Sequence, residues 1–264
     1  MAGEITPQST RYVDNSGWYG SLQLFRDIIS PLLEPSGLAG KAVVDIGSGS
    51  GRIVGMLLNA GAAHVYAVEP SSEAFAVLEQ NVRAIQRQGD VSCINEAGDR
   101  FSLTEQVDYM FSVGVIHHIP DPVPVIERAF EALKPGGHIF LWLYGYEGNE
   151  SYLRVIEPIR QITTRLPHVV LRGCVEIMYY LLCFYRSVGR LIAIPLSSYI
   201  ENILWPLSPK KRRLVIYDQL NPAFAKYYRE HAAFILLQNS GFVNIKTYHR
   251  HGYSWSVIGQ KPTI

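Results

Sequence analysis

The sequence predicts an α/β domain on a doubly wound, mostly parallel seven-stranded sheet, with an antiparallel last strand and a helical insertion after strand five. Three observations carry this. Residues 41–144 alternate strand-like and helix-like segments, the pattern of a parallel sheet covered on both faces. The tail ends in two strand-like runs joined by a tight link. Between these regions about 83 residues, Gly145 to Tyr227, do not continue the alternation.

Each element has a local reason. Ala42–Ile46 (AVVDI) is a short β-rich run ending in glycines, and Arg52–Ala60 follows at helical spacing with Gly61 as its stop. His64–Val68 is the second strand. Ser71 or Ser72 caps a helix expected to run to about Gln88 and stop at Gly89. Val91–Asn95 and Val107–Val113 read as strands three and four. Asp121-Pro122 opens a helix through Lys134, since proline suits a first helical turn, and Pro135-Gly136-Gly137 turns the chain into His138–Tyr144. In the tail, Glu230–Ser240 is helical, and Phe242–His249 and Tyr253–Gln260 flank Arg250-His251-Gly252 as a hairpin.

Residues 1–144 and 228–264 therefore form the expected core. The insertion, 145–227, is rich in Leu, Ile and Tyr, and prolines 158, 167, 195, 206, 209 and 222 punctuate it. A structureless loop of that length is out of keeping with a compact domain, so short helices forming a cap are expected.

Composition narrows the function. Among 264 residues, 48% are hydrophobic and 18% charged, which excludes disorder, and a net charge of +1 gives no electrostatic footprint for nucleic acid. Cys93, Cys174 and Cys183 match no zinc spacing and read as reduced thiols, so no metal and a cytoplasmic setting are expected. The N-terminal residues lack the apolar run of a signal peptide. The longest apolar run, Ile177–Tyr185, is nine residues between Glu176 and Arg186, short of the ~20 that span a bilayer. No transmembrane segment is expected.

The chemistry concentrates at Val43-Val44-Asp45-Ile46-Gly47-Ser48-Gly49-Ser50-Gly51. Glycines at a strand end let the backbone turn tightly and approach a ligand at the next helix N-terminus. The spacing is D-x-G-x-G-x-G rather than the dinucleotide-binding G-x-G-x-x-G. The carboxylate would repel a pyrophosphate but attract an ammonium or sulfonium. Glu69 ends the second strand, where a carboxylate can take both hydroxyls of a ribose.

On these residues the chain resembles the class I S-adenosylmethionine-dependent methyltransferases, most closely the branch with the ubiquinone and menaquinone methyltransferases. The resemblance covers residues 41–144 and the tail from about 228. It implies that Asp45, Gly47, Ser48, Gly49 and Gly51 wrap the methionine part of S-adenosylmethionine. Glu69 is then the ribose-binding acid and Pro70 its adenine-side neighbour. Gly98-Asp99 resembles the loop that meets the adenine. Val113 opens the motif after strand four, which runs through His117-His118, and Pro135-Gly136-Gly137 matches the turn before strand five.

The expected reaction is methyl transfer to a small, hydrophobic or aromatic acceptor. An RNA or protein acceptor, or a non-catalytic cofactor-binding scaffold, stays open. Candidate bases are His118, His251 and His249, because an imidazole can take an acceptor proton near neutral pH. The other reading of each is structural: a packed, hydrogen-bonded histidine at 118 and an exposed polar turn at 249 and 251. Candidate acceptor contacts are Tyr19, His117, Tyr179, Trp205, Tyr228 and Tyr253. Tyr12, Trp18 and Tyr19 either form a lid over the cofactor or pack as an N-terminal helix. Apolar residues of the insertion, among them Ile177, Leu181 and Phe184, suggest a hydrophobic pocket, with packing on the sheet or on a second subunit as the alternative. Arg165, Arg172, Arg186 and Arg190 leave peripheral contact with lipid headgroups open, and a homodimer is equally open.

Overall fold

The computed structural model describes residues 15, 17–85, 90–189, 192, 197–222 and 224–263. The described residues divide into two compact units, one of residues up to Asn149 and from Phe224, the other Glu150–Ala223.

The first unit begins with helix α1 (Leu22–Ile29), whose N-cap Ser21 accepts a hydrogen bond from the Leu24 amide. Then come β1 (Ala42–Ile46), α2 (Arg52–Asn59), β2 (His64–Val68), α3 (Ser72–Arg83), β3 (Val91–Ile94), β4 (Val107–Val113), α4 (Val123–Ala132) and β5 (Leu133–Tyr144). Ser71 caps α3 as the sequence suggests. That helix ends at Arg83, before the expected Gln88, and residues 86–89 lie outside the described set. Helix α4 stops at Ala132 and strand five begins there, earlier than expected. Leu133 pairs with Val107, the register then shifts, and Pro135–Gly137 is taken up within β5 as an irregularity.

The second unit contains α5 (Glu150–Thr163), α6 (His168–Gly189), α7 (Ser197–Tyr199) continued by a π-helical turn (Ile200–Leu204), and α8 (Pro209–Leu220). The first unit then resumes with α9 (Glu230–Asn239), β6 (Val243–Arg250) and β7 (Ser254–Gln260).

Among the described residues the strands form one seven-stranded sheet in the order β3-β2-β1-β4-β5-β7-β6. Strand β7 is antiparallel to both β5 and β6, so β6 runs parallel to β5. Tyr144 is level with Ser254, and the Gly145 amide donates to the Tyr253 carbonyl at 3.1 Å. The hairpin turn therefore lies at the carboxyl end of β5, as the sequence suggests. Both sheet faces are covered. One buries Val44, Met110, Ile139 and Leu141 with Ile126 of α4 and Leu237 of α9. The other buries Val43, Val65, Phe111 and Phe140 with Phe25 of α1 and Leu57 of α2.

Within the second unit, prolines break fewer helices than expected. Pro158 lies inside α5, and α6 is one helix of 22 residues. The nine-residue apolar run is only part of it. By length and composition α6 could cross a membrane, against the expectation that no segment is long enough. Polar contacts tie the unit together. Arg160 donates from Nε to the Gln219 carbonyl at 2.8 Å, and Thr163 Oγ1 donates to the Leu220 carbonyl at 2.6 Å.

Helix α1 is fastened to the tail by Arg250, whose side chain is only 4% exposed. Its guanidinium bonds the Asp27 carboxylate, donates from Nε to the Asp27 carbonyl at 2.9 Å, and donates from Nη1 to Tyr253 Oη at 2.7 Å. Removing one partner of such a pair leaves a dry charge uncompensated. Asp27→Ala is expected to lower the unfolding free energy by about 2–4 kcal/mol, less than for a fully buried pair because Asp27 is partly solvated. Urea denaturation of the parent and variant checks this, and an unchanged midpoint would deny the pair its role.

Candidate active site

The site residues collect at the carboxyl ends of the parallel strands. Asp45 is the fourth residue of β1 and is buried, and its Oδ2 has no partner among the described residues. Burial pushes its carboxyl up to about 7, opposed by the bond with Ser48 and the charge of Arg52. The loop that follows turns through positive φ at Gly47 (74°), Gly49 (54°) and Gly51 (84°). Gly47 is tighter than Gly51. A Cβ there would meet Val115 Cγ2 at 2.5 Å, so this position excludes any side chain.

Glu69, at the end of β2, holds that loop in shape. One carboxylate oxygen accepts from the Gly49 amide at 2.8 Å and the other from the Ser71 amide at 2.9 Å. Burial raises its pKa, and these two amides act in the opposite direction. Each oxygen keeps a further lone pair for a ligand hydroxyl. Ser48 Oγ donates to the Asp45 carbonyl at 2.9 Å. Pro70 is exposed, while Asp99 is partly buried. Gly98 packs so closely that a Cβ would lie 2.9 Å from Ile46 and 3.1 Å from Val125. Val113 is buried at the end of β4, next to Gly114 at φ 83°.

Several contributors, Tyr19 aside, carried no sequence signal. Asn15 Nδ2 donates to the Ser50 carbonyl at 2.9 Å, and Asn81 Nδ2 donates to the same oxygen at 2.8 Å. Asn95 Nδ2 donates to the Glu69 carbonyl at 2.8 Å. The Arg52 guanidinium lies 4.5 Å over the Tyr19 ring. Asn15 and Tyr19 thus fasten the segment before α1 to the glycine loop, and Tyr12 lies outside the described residues. An Asn is a common surface residue, and only the fold reveals which carbonyl it meets.

A second group lies at the ends of β4 and β5. His117, on the turn Ile116–His118, is fully buried, and neither ring nitrogen has a partner among the described residues. Its ring stacks on Tyr144 at 3.8 Å and lies 4.4 Å from His118 and 6.0 Å from Trp142. Tyr144 in turn lies 5.4 Å from Tyr227. Burial, and then the neighbouring His118, hold the His117 pKa well below its usual 6.5.

The three candidate bases are all engaged. His118 Nδ1 is 2.7 Å from the Phe224 carbonyl. His249 stacks on Trp255 at 4.3 Å, with Nε2 3.1 Å from the Glu147 carbonyl. His251 Nε2 is 2.8 Å from Asp27 Oδ1. Tyr253 holds Arg250, and burial raises its phenol pKa. Tyr228 is buried in the core, its hydroxyl unpartnered among the described residues and its pKa pushed up to about 12. Tyr179 and Trp205 belong to the second unit. Arg213 covers the Tyr179 ring at 3.8 Å, and Trp205 is sandwiched between Arg186 and Arg212, each at 3.7 Å. Ile177, Leu181 and Phe184 are 60–70% exposed, so they face solvent rather than an enclosed pocket.

Residues 44–139 match the family model described as a methyltransferase domain. The matched region has the fold of the S-adenosylmethionine-dependent methyltransferases and is similar to their catalytic domain. The ubiquinone biosynthesis O-methyltransferase of Pseudomonas fluorescens is 33% identical over 112 residues, covering 40% of this chain and 46% of that protein. The tRNA U34 carboxymethyltransferase of Shewanella piezotolerans is 28% identical over 129 residues, covering 49% and 38%. The chain thus spans about half or less of the length of these two relatives. A solved S-adenosylmethionine-dependent methyltransferase from Aquifex aeolicus has the same fold, with TM-score 0.51 and 13% identity over 90% of this chain and 96% of that one.

The residues present suit that cofactor. Asp45 offers a dry, unpaired oxygen to a cationic group, and the turn before α2 admits a ligand close to the backbone. Because burial favours the protonated carboxyl, unfolding stability of the ligand-free protein is expected to fall as pH rises from about 4 to about 7. The unfolded chain ionises Asp45 in that window while the folded chain resists. Asp45→Asn is expected to flatten this slope in urea titrations, and an identical slope in both proteins would refute it. Glu69→Ala is expected to weaken S-adenosylhomocysteine binding by about 1–3 kcal/mol in isothermal titration, through loss of charge-assisted bonds to loop and ribose. Unchanged affinity would remove the role.

Proposed function

We propose that the chain transfers a methyl group from S-adenosylmethionine to a small acceptor, hydrophobic or aromatic. One observation carries this. Buried polar groups are normally partnered, yet Asp45 near the end of β1 and His117 on the turn after the neighbouring β4 leave three atoms without a partner among the described residues. Such atoms are supplied with partners when ligands arrive. Asp45, Glu69 and the Gly47–Gly51 loop would hold the cofactor, which brings an electrophilic sulfonium methyl. Tyr144, Trp142 and His118 surround His117, and Tyr227 lies beyond Tyr144, a set of aromatic faces that suits a flat acceptor ring.

His117 orients rather than deprotonates in this reading. An imidazole kept well below its usual pKa is a weak base, but it offers one donor and one acceptor nitrogen to an acceptor hydroxyl or amine. A base is needed only where the acceptor ionises poorly, and His118, His249 and His251 are then the candidates. A tRNA acceptor is the second reading, favoured by the name of the Shewanella relative.

Labelled S-adenosylmethionine incubated with hydroxylated aromatic compounds and, separately, with unmodified tRNA tests both. Transfer to the small aromatics is expected. His117→Asn and His117→Phe are expected to lower kcat/KM about 5–150-fold while S-adenosylhomocysteine affinity holds. A fall of about 10²–10⁴ in a His118, His249 or His251 variant would instead identify a base. Transfer to tRNA alone would replace the proposal, and binding without transfer would leave a non-catalytic protein.

A further inference from the structure

We propose that the second unit docks on an anionic lipid bilayer through the solvent face of α6, with the helix lying in the plane of the interface. This goes beyond the methyl-transfer reading and does not depend on it.

The helix is apolar on two opposite faces. Leu171, Val175 and Tyr179, at spacings of four, are buried within the protein. On the other side Ile177, Tyr180, Leu181 and Phe184 follow the i, i+3, i+4, i+7 pattern and are 63%, 65%, 60% and 70% exposed. Val169, 80% exposed, extends the stripe toward the N-terminal end. A helix of a water-soluble surface presents polar residues there. A continuous apolar stripe over several turns marks an interaction site.

Charge decides the occupant. Glu150–Ala223 carries ten Lys and Arg against five Asp and Glu, a net charge of +5, whereas the rest of the chain has fourteen against eighteen, a net charge of −4. Exposed Arg165 lies in the turn that leads into α6, and exposed Arg172 lies one turn from Val169. Anionic headgroups accept such cations while the stripe enters the acyl boundary. A second copy meeting this face about a two-fold axis would set one +5 unit against another. Nucleic acid would satisfy the cations but leave Ile177, Leu181 and Phe184 in water. Crossing the bilayer would draw Arg172, Glu176 and Arg186 into it and strip Leu171, Val175 and Tyr179 from their packing.

Vesicle co-sedimentation of the full chain tests this, with phosphatidylcholine alone and with added phosphatidylglycerol, in low and high salt. Binding to the anionic vesicles is expected, weakened by salt. Leu181→Asp with Phe184→Asp is expected to reduce it at least tenfold, and Arg165→Gln with Arg172→Gln by roughly tenfold or more. All four positions are exposed, and circular dichroism together with unchanged S-adenosylhomocysteine affinity verifies that the variants fold. Absence of binding to either vesicle overturns the proposal. So does a dimer in light scattering that the Leu181/Phe184 variant dissociates without any vesicle binding, or a tRNA gel shift that the same variant leaves intact while vesicles are ignored.

Discussion

A carboxylate kept dry at the end of a central strand is the constraint on which the candidate site depends. Asp45 lies on β1, between β2 and β4, and the backbone on both sides is committed to the sheet. Holding it ionised at neutral pH costs on the order of 4 kcal/mol, given a carboxyl pushed from 3.8 to about 7. That is a large share of the 5–15 kcal/mol by which a typical domain is stable. The cores on the two faces of the sheet make it tolerable. The side chains around the loop serve its backbone: Glu69 accepts from two amides, and Asn15 and Asn81 both donate to the Ser50 carbonyl. The loop is thus held in one shape while Asp45 Oδ2 has no partner among the described residues.

Most of the sheet is legible in the sequence because its signals are local. Glycines that require positive φ, a proline in the first turn of α4, and alternation of strand and helix all act within a few residues. The boundaries that moved depend on tertiary partners. Leu133 joins β5 rather than α4 because Val107 offers it a ladder position across 26 residues. The insertion read less well for a related reason. Pro158 suggests a break, yet its neighbours Ile156 and Leu153 are buried and the helix continues through it. The apolar stretch of α6 reads as nine residues only when Glu176 and Arg186 are taken as its ends. Both charges are paired, with Arg213 and Glu201, and the helix runs past them.

The aromatic residues show the same distinction between residue type and neighbourhood. Tyr179 and Trp205 have the composition of a ligand pocket, and the structure gives each of them to arginines of their own unit. Trp142 and Tyr144 read as ordinary strand residues. Their position at the carboxyl end of β5 makes them the surroundings of His117. No spacing rule separates the two pairs, because what differs is which turn the fold carries to the strand ends.

The histidines complete that argument through their partners. A sulfonium methyl is electrophilic without proton transfer, so holding the acceptor in line and excluding water is the larger demand on the protein. His118, His249 and His251 each spend a nitrogen on a carbonyl or a carboxylate, which fixes their rings in place. His117 spends neither among the described residues. Leaving both nitrogens without a partner among the described residues has a desolvation cost of about 1–3 kcal/mol for each group, which an arriving hydrogen-bond partner would remove. The same burial that suppresses its basicity strengthens whatever hydrogen bond it makes, because the surroundings of low polarity screen it weakly. Burial and partners therefore distinguish two histidines that are adjacent in the chain: His117 is dry, while His118 is only partly buried and spends Nδ1 on the Phe224 carbonyl.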